Sequence, residues 1–276
     1  MRNKSVGWSW GSFKLIIALA LPSFIWADLL IYEPFSQNAG DLNGQASGDG
    51  LSGNWGGDST TVTVVTPANF SSYGELQKNG GQIDMANGGG VDAWASATSA
   101  LGDANLLDDG ATLWFSLVFQ KTSGGGSNEH AGFALGTERL DAAFNGARMN
   151  TGYGLGFYTR NTSVSVSTWE TGGQSTGGGL TVSYSTPALI IGKIEWGATP
   201  ADVETITLYS GNLLSARSLG ASVSKTMTGF DQTTIDTVSM TQRNSGGTMT
   251  YDEVRFGSTL NSVTPVPYDG TFFVIQ

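Results

Sequence analysis

The chain has 276 residues, with 23 acidic against 13 basic side chains and a formal net charge of −10. An acidic surface repels nucleic acid and anionic lipid, and no basic run in the sequence offsets it, so neither is expected as a partner. The chain has no cysteine, which excludes disulfides, thiolate metal sites and cysteine nucleophiles.

The composition predicts an all-β protein. Forty residues are glycine and only 13% are charged, which is typical of short strands joined by turns. A single domain of this size buries a substantial core. No linker or tandem repeat divides the chain, so we expect one domain over 28–265 and a tail over 266–276.

The N-terminus predicts a secretory signal peptide over residues 1–27. Three basic residues precede the apolar run 15–21, and Ala27 stands before a polar residue. The run is too short to span a bilayer. The alternative is an uncleaved anchor, favoured by Ile25 at an unsuitable place before the cleavage site. We expect export to the outside, the cell surface or the periplasm of a bacterium, without membrane insertion after cleavage.

Several strands are predicted along the first half of the mature chain from β-branched or alternating runs. The glycine-rich segment 36–60 is expected to be irregular, with Trp55 closing one end of the core. Segment 93–101 is expected to form a brief helix or a loop. The predicted strands are 28–35, 60–66, 82–86, 111–120 and 131–136, the last as the antiparallel partner of 111–120.

Residues 152–170 predict a β-hairpin with a tight turn. Two alternating runs flank Asn161-Thr162, and a two-residue turn fixes which residues face each other. Leu155, Phe157, Val164 and Val166 then face the core with Thr159 and Thr168. The opposite face carries the pairs Arg160–Ser163, Tyr158–Ser165, Gly156–Ser167 and Gly154–Trp169. Segment 171–179 is expected to be a loop.

A second hairpin is predicted from 189–196 and 204–209. Its register follows from burial, because only one alignment places the apolar side chains on one face. That alignment pairs Ile194 with Ile206 and turns Lys193 and Glu195 outward, away from Glu204.

The last two predicted strands are 235–241 and 249–257, joined by a turn. Strict alternation in the final strand places Asp252 on the core face with Val254 and Phe256, and turns Glu253 and Arg255 outward.

Three motifs resemble a known family. They are the closing strand 250–257 followed by 262–265, the opening segment 30–35 with the Gly-Leu-Ser-Gly-Asn-Trp loop at 50–55, and the run 189–196. Together they resemble a laminin G-like domain of the concanavalin A-like lectin/glucanase superfamily, as found in exported bacterial proteins with a Pro-Glu-Pro sorting signal. The resemblance implies a jelly-roll β-sandwich of two antiparallel sheets. The sorting signal itself is not evident in this chain.

Catalytic chemistry is not indicated by the sequence. Glycoside hydrolysis requires two carboxylates about 5–10 Å apart, and the Glu-x-Asp-x-x-Glu spacing of the glucanases in this superfamily is absent. The pairs Asp108-Asp109 and Asp202/Glu204 are expected to be solvated. His130 is expected to be an exposed loop histidine, with a role in a catalytic triad as the alternative.

Calcium is the metal that the donor set favours, because carboxylate oxygens are abundant and soft ligands are absent. Asp252 and Glu33, on the last and first strands, are the predicted ligands of a structural calcium ion. The alternative is that backbone N–H groups hold Asp252.

Sugar binding is the hypothesis for the outward face of the first hairpin. Sugar rings stack on aromatic rings while guanidinium and hydroxyl groups contact the sugar hydroxyls. The predicted contacts are Trp169, Tyr158, Arg160, Ser165 and Ser167. The alternative is that loop 171–179 covers this face and buries Trp169.

The sequence therefore predicts a secreted, non-catalytic module that binds a polysaccharide or the extracellular matrix and needs no cofactor. The alternatives are a structural or adhesive envelope protein and a glycoside-cleaving enzyme with an unrecognised site. The sequence does not indicate the oligomeric state.

Overall fold

The computed structural model describes most of the residues between 29 and 264. The described residues are 29–57, 61–66, 68, 76, 78–86, 91–122, 130–141, 148–160, 162–183, 186–212, 215–243 and 247–264. The predicted signal peptide and the predicted tail lie outside them. Among the described residues, no helix has the length and apolar character needed to cross a bilayer.

The described chain is built almost entirely from strands. They are β1 (Leu29–Glu33), β2 (Gly40–Asp41), β3 (Ser52–Gly57), β4 (Val62–Val65), β5 (Gln82–Ala86), β6 (Val91–Ser96), β7 (Thr112–Lys121), β8 (His130–Gly136), β9 (Tyr153–Arg160), β10 (Ser163–Glu170), β11 (Gly173–Thr181), β12 (Ala188–Glu195), β13 (Val203–Asn212), β14 (Ser215–Thr228), β15 (Thr237–Arg243) and β16 (Thr248–Gly257). Two short helices accompany them, α1 (Thr98–Asp103) and α2 (Leu260–Val263).

Two antiparallel sheets pack face to face. The nine-stranded sheet has the order β14-β13-β12-β7-β16-β5-β4-β2, with β1 paired to β16, and the seven-stranded sheet has the order β11-β10-β9-β8-β15-β6-β3. Phe115 of the first sheet packs against Phe133 of the second at 5.5 Å between ring centroids. Burial of such apolar surface is the main stabilising term. The prediction of an all-β, two-sheet antiparallel sandwich is confirmed.

Both predicted hairpin registers are confirmed. Tyr158 faces Ser165 and Gly154 faces Trp169 in the first hairpin. Ile194 faces Ile206 in the second. Alternation of apolar side chains fixes register, because a slip of one residue would move the apolar set to the opposite face.

Several predicted elements are wrong in their pairing or type. Strand β8 does not pair with β7, since it lies between β15 and β9 in the other sheet. Segment 171–179 is mostly strand β11, which pairs with β10. Parts of 36–60 and 93–101 form strands β3 and β6, which pair with each other, while the brief helix predicted within 93–101 is present as α1 from Thr98 onward. Strand β14 was not predicted. These pairings are non-local or involve glycine-rich edge strands, which carry weak local signals.

A β-bulge in β16 reverses the predicted faces of the residues that precede it in the last strand, while Val254 and Phe256 lie on the core side as predicted. Asp252 faces Val118 and Arg255 faces Ser116, with a register shift between them. Glu253 has a positive φ of 54°, which is uncommon outside glycine and marks the extra residue of the bulge. Asp252 therefore lies on the outer face of the sheet rather than on the core face. Glu253 and Arg255 were predicted to be exposed, but only 0% and 1% of their surfaces are accessible.

Candidate functional site

The outer face of the seven-stranded sheet carries the residues of the first predicted hairpin and their neighbours. Because paired residues of antiparallel strands share a face, the registers define rows that run across the sheet. Two rows at one end of the sheet form the candidate site, and two rows at the other end are covered.

The first row places two arginines on either side of a histidine. His130 of β8 faces Arg243 of β15 and Arg160 of β9. We call Arg243, His130 and Arg160 the basic row. Neighbouring strands lie about 4.8 Å apart, so the backbones that carry the two arginines are roughly 10 Å apart. Arg160 is exposed, and Arg243 and His130 are half-buried.

The second row lies directly beside the basic row and supplies a phenol. Tyr158 faces Gly132 on one side and Ser165 on the other. Its hydroxyl is hydrogen-bonded to Nδ1 of His130. The two rings are stacked, with centroids 5.4 Å apart and an interplanar angle of 20°.

The electrostatics of the pair follow from burial and from the neighbouring cations. Burial lowers the pKa of His130, and the positive charges of Arg160, Arg243 and Lys121 lower it further. Burial raises the pKa of Tyr158 to about 12, although the two arginines oppose the shift. At neutral pH the imidazole is uncharged and the phenol is protonated.

Glycines and hydroxyls continue the two rows toward the edge of the sheet. Ser163 follows Arg160 and faces Thr181 of β11, while Ser165 faces Gly179. Gly179 and Thr181 are exposed, and the two serines are half-buried. The side chains of Ser163 and Ser165 lie over Gly179, in the space that a side chain at this position would fill.

The other half of the face is covered by Leu140 and Met149, which belong to the described parts of the connection between β8 and β9, 137–141 and 148–152. Leu140 donates its backbone N–H to Oγ of Ser239 at 3.0 Å, and Met149 packs over Gly136 and Gly154. Leu140 and Met149 form an apolar cluster with Tyr158 and Trp169. The expectation that Trp169 faces water is therefore wrong, because its exposed fraction is 0%.

The predicted sugar contacts accordingly divide into two groups. Trp169 and Ser167 are fully buried, and Tyr158 is only 9% exposed. Arg160 is exposed and Ser165 is half-buried. The alternative correctly expected Trp169 to be buried, but it named the wrong covering segment. Residues 171–179 belong mostly to the neighbouring strand β11, and Leu140 and Met149 of the β8–β9 connection pack on Trp169 instead.

Sequence reasoning missed the contribution of His130 and Arg243. His130 opens strand β8 rather than lying in a loop, and Arg243 ends strand β15 rather than belonging to a turn. No local signal links them to Arg160, because the row exists only once β15, β8 and β9 are known to be adjacent.

The two predicted calcium ligands, Glu33 and Asp252, each accept hydrogen bonds from the chain. Glu33 accepts hydrogen bonds from the backbone N–H groups of Phe35 and Gly48 and from the side chains of Gln37 and Trp55. Oδ1 of Asp252 accepts from the N–H of Glu253 at 2.7 Å, as the alternative predicted. No group of three or more metal-ligating side chains occurs within the described ranges. Both carboxylates are thus held by donors of the chain itself.

Comparisons with known proteins give only distant similarities. No family model matches the chain, and no curated protein matches it. The endo-β-1,4-glucuronan lyase of the fungus Trichoderma reesei is 13% identical, with a TM-score of 0.48 over 86% of this chain and 99% of that one. The alginate lyase of Aplysia kurodai is 7% identical, with a TM-score of 0.46 over 72% and 87%. The carbohydrate recognition domain of Emp46p is 11% identical, with a TM-score of 0.40 over 74% and 88%. At these values the similarities assign neither a family nor an activity.

Proposed function

We propose that the protein binds an acidic polysaccharide on the outer face of its seven-stranded sheet. The basic row carries this proposal, because it concentrates two guanidinium groups on a protein whose net charge is −10. Arginine forms bidentate hydrogen bonds with carboxylates, and such charge-assisted bonds contribute about 1.5–3 kcal/mol each.

The shape of the face supports an extended ligand rather than a small anion. The basic row continues through Ser163 to Thr181, so it crosses five strands and is roughly 19 Å long at about 4.8 Å per strand spacing. The hydroxyls along it match the donors and acceptors of sugar hydroxyls. A polymer chain can therefore contact the arginines at one end and the serines and threonine at the other.

Two arginines suit a uronate polymer better than nucleic acid. Nucleic acids gain affinity from many neutralised phosphates, whereas the basic row offers only two permanent cations beside one neutral imidazole. A uronate polymer needs only one or two matched carboxylates and supplies hydroxyls for the rest of the face. An extracellular polymer of this kind also agrees with the export predicted for residues 1–27.

Isothermal titration of the protein with a polymer and its carboxyl-reduced form tests the proposal. A glucuronan and the neutral glucan obtained from it by reduction differ only at the carboxyl group. We expect binding to glucuronan that weakens as salt increases, and at least tenfold weaker binding to the glucan. Equal affinity for both polymers, or binding to neither, would contradict the proposed role of the arginines.

A further inference from the structure

The hydrogen-bonded pair of His130 and Tyr158 has a chemical capacity that binding does not require. We propose that these two side chains transfer protons in a β-elimination that cleaves the acidic polysaccharide at a 4-linked uronate. This inference rests on the proposed function, because the basic row must first hold the uronate carboxylate beside the pair.

The pair is held in place from several sides. The ring of Tyr158 packs with Leu140, Met149 and Trp169, and His130 stacks on it at 5.4 Å. The tyrosine is 9% exposed and the histidine is half-buried, so the pair lies at the boundary between the covered and the open halves of the face. Fixed acid and base groups at the edge of an open surface are suited to proton transfer to a bound ligand.

Elimination fits the surrounding residues better than hydrolysis does. Hydrolysis requires two carboxyl groups facing the glycosidic bond, but the basic row contains none. In the adjacent row, Thr241 pairs with Asp92 of β6. The carboxylate of Asp92 lies 3.8 Å from the guanidinium of Arg139. Elimination instead requires a base, an acid and cations near the carboxylate of the sugar, which is the set present here.

The reaction is balanced with the two side chains alone. In the tautomer that carries hydrogen on Nδ1, Nε2 of His130 takes the proton from C5 of the uronate. The released electron pair forms the C4–C5 double bond, and the bond between C4 and the glycosidic oxygen breaks. That oxygen takes the hydroxyl proton of Tyr158, and Nδ1 of His130 returns a proton to the phenol oxygen. Tyr158 ends in its starting state, and His130 ends uncharged with its hydrogen on Nε2, so exchange of this proton with water restores the starting tautomer before the next cycle.

The arginines have a separate part in this step. Removal of the C5 proton places negative charge on the carboxylate, and nearby guanidinium groups stabilise that charge as it develops. Arg160 and Arg243 face His130 from the neighbouring strands, Tyr158 is bonded to its Nδ1, and the positive charge of Lys121 acts on it from the other sheet. The three cations also favour the uncharged imidazole, which is the form that accepts a proton.

Cleavage and binding are measured separately on the same proteins. The intact mature chain is incubated with glucuronan and with alginate, both 4-linked uronate polymers, and the ultraviolet absorbance of the new double bond is followed. We expect product from at least one polymer, and a rate at least 100-fold lower in Tyr158→Phe and in His130→Asn. The affinity of each variant for the same polymer is measured in parallel, so that a lower rate of cleavage is separated from weaker binding. Tyr153→Phe is the matched control, because Tyr153 lies on the same strand and packs on Phe230 of the core; its rate should be unchanged.

Three results would overturn the inference. Binding of both polymers without any double-bond product would remove the elimination while leaving the binding function. Product formation that survives Tyr158→Phe would exclude the proposed relay. Absence of both binding and product would remove the elimination together with the binding function on which it rests. Thermal unfolding of each variant separates these results from loss of the fold.

Discussion

The indole N–H of Trp55 donates to Oε2 of Glu33 at 2.8 Å. Both residues are buried, and the same carboxylate accepts the N–H of Gly48 at 2.7 Å. The bonds connect the first strand to the glycine-rich segment that follows it. Burial raises the pKa of Glu33, and the hydrogen bonds to its carboxylate oppose the shift.

Substitution of Glu33 by alanine should destabilise the protein strongly. It removes the acceptor for the buried donors, and each buried group left without a partner costs about 1–3 kcal/mol. We expect a loss of at least about 3 kcal/mol in the free energy of unfolding, measured by denaturant titration. Glu138→Ala is the control, since Glu138 accepts from the backbone of Thr151 at an exposed position; it should cost less than about 1 kcal/mol.

Chelation should leave the melting temperature of the wild-type protein unchanged. The two predicted calcium ligands already accept hydrogen bonds from the chain. Glu33 accepts them from the donors around it, and Asp252 accepts one from a backbone N–H. A decrease in the melting temperature on adding a chelator, reversed by calcium, would restore the calcium hypothesis.

The buried pair of Glu253 and Arg255 should be sensitive to removal of either partner. The guanidinium bonds to the carboxylate, and the carboxylate also accepts the hydroxyl of Tyr32 at 2.9 Å. Loss of one member leaves a buried charge, which costs about 3–5 kcal/mol. Arg255→Met should therefore destabilise the protein by that amount. The double substitution with Glu253→Gln should cost less than the sum of the two single substitutions, and additive losses would show that the pair is not coupled.

The last strand shows where prediction from the sequence fails. Alternation correctly assigned the faces of β9, β10, β12 and β13, because these strands are regular and local turns connect them. In β16 the bulge at Glu253 adds one residue, so every residue before it lies on the face opposite to the prediction. No residue type in that strand signals a bulge.

The candidate site shows a second reason for failure. Arg160 and Tyr158 could be placed on one face from a hairpin register alone. Their proximity to His130 and Arg243 depends on pairings between distant strands, and the burial of Trp169 depends on how the β8–β9 connection folds back. Neither is encoded in local periodicity.

Glu204 should make stability fall as the pH rises. Its exposed fraction is 0%, and neither carboxylate oxygen has a hydrogen-bond partner among the described residues. Burial raises the pKa of Glu204 above its ordinary value of 4.5; its own backbone N–H opposes the shift, and the negative charges of Asp109 and Asp202 add to it. The folded state therefore holds this proton more tightly than the unfolded chain does. The tighter binding of this proton stabilises the folded state below pH 4.5. That stabilisation is lost as the pH rises through the folded-state pKa of Glu204.

Glu204→Gln tests this directly, because glutamine resembles the protonated acid. We expect similar melting temperatures for wild type and variant near about pH 4, and a more stable variant near about pH 7. Glu195→Gln is the control on the exposed face, where Lys193 pairs with Glu195 at 2.6 Å. A difference between wild type and Glu204→Gln that does not change with pH would show that Glu204 does not titrate as proposed.

The affinity of the Arg160→Gln/Arg243→Gln double variant for glucuronan tests the central claim most directly. Glutamine keeps hydrogen-bonding capacity while removing charge, and Lys193→Gln, which removes a cation paired with Glu195 at 2.6 Å on the other sheet, is the control. We predict that the double variant binds glucuronan at least 30-fold more weakly, as expected for the loss of at least about 2 kcal/mol of charge-assisted bonding, while the control binds like the wild type. Unchanged affinity in a folded double variant would show that the basic row is not the binding site.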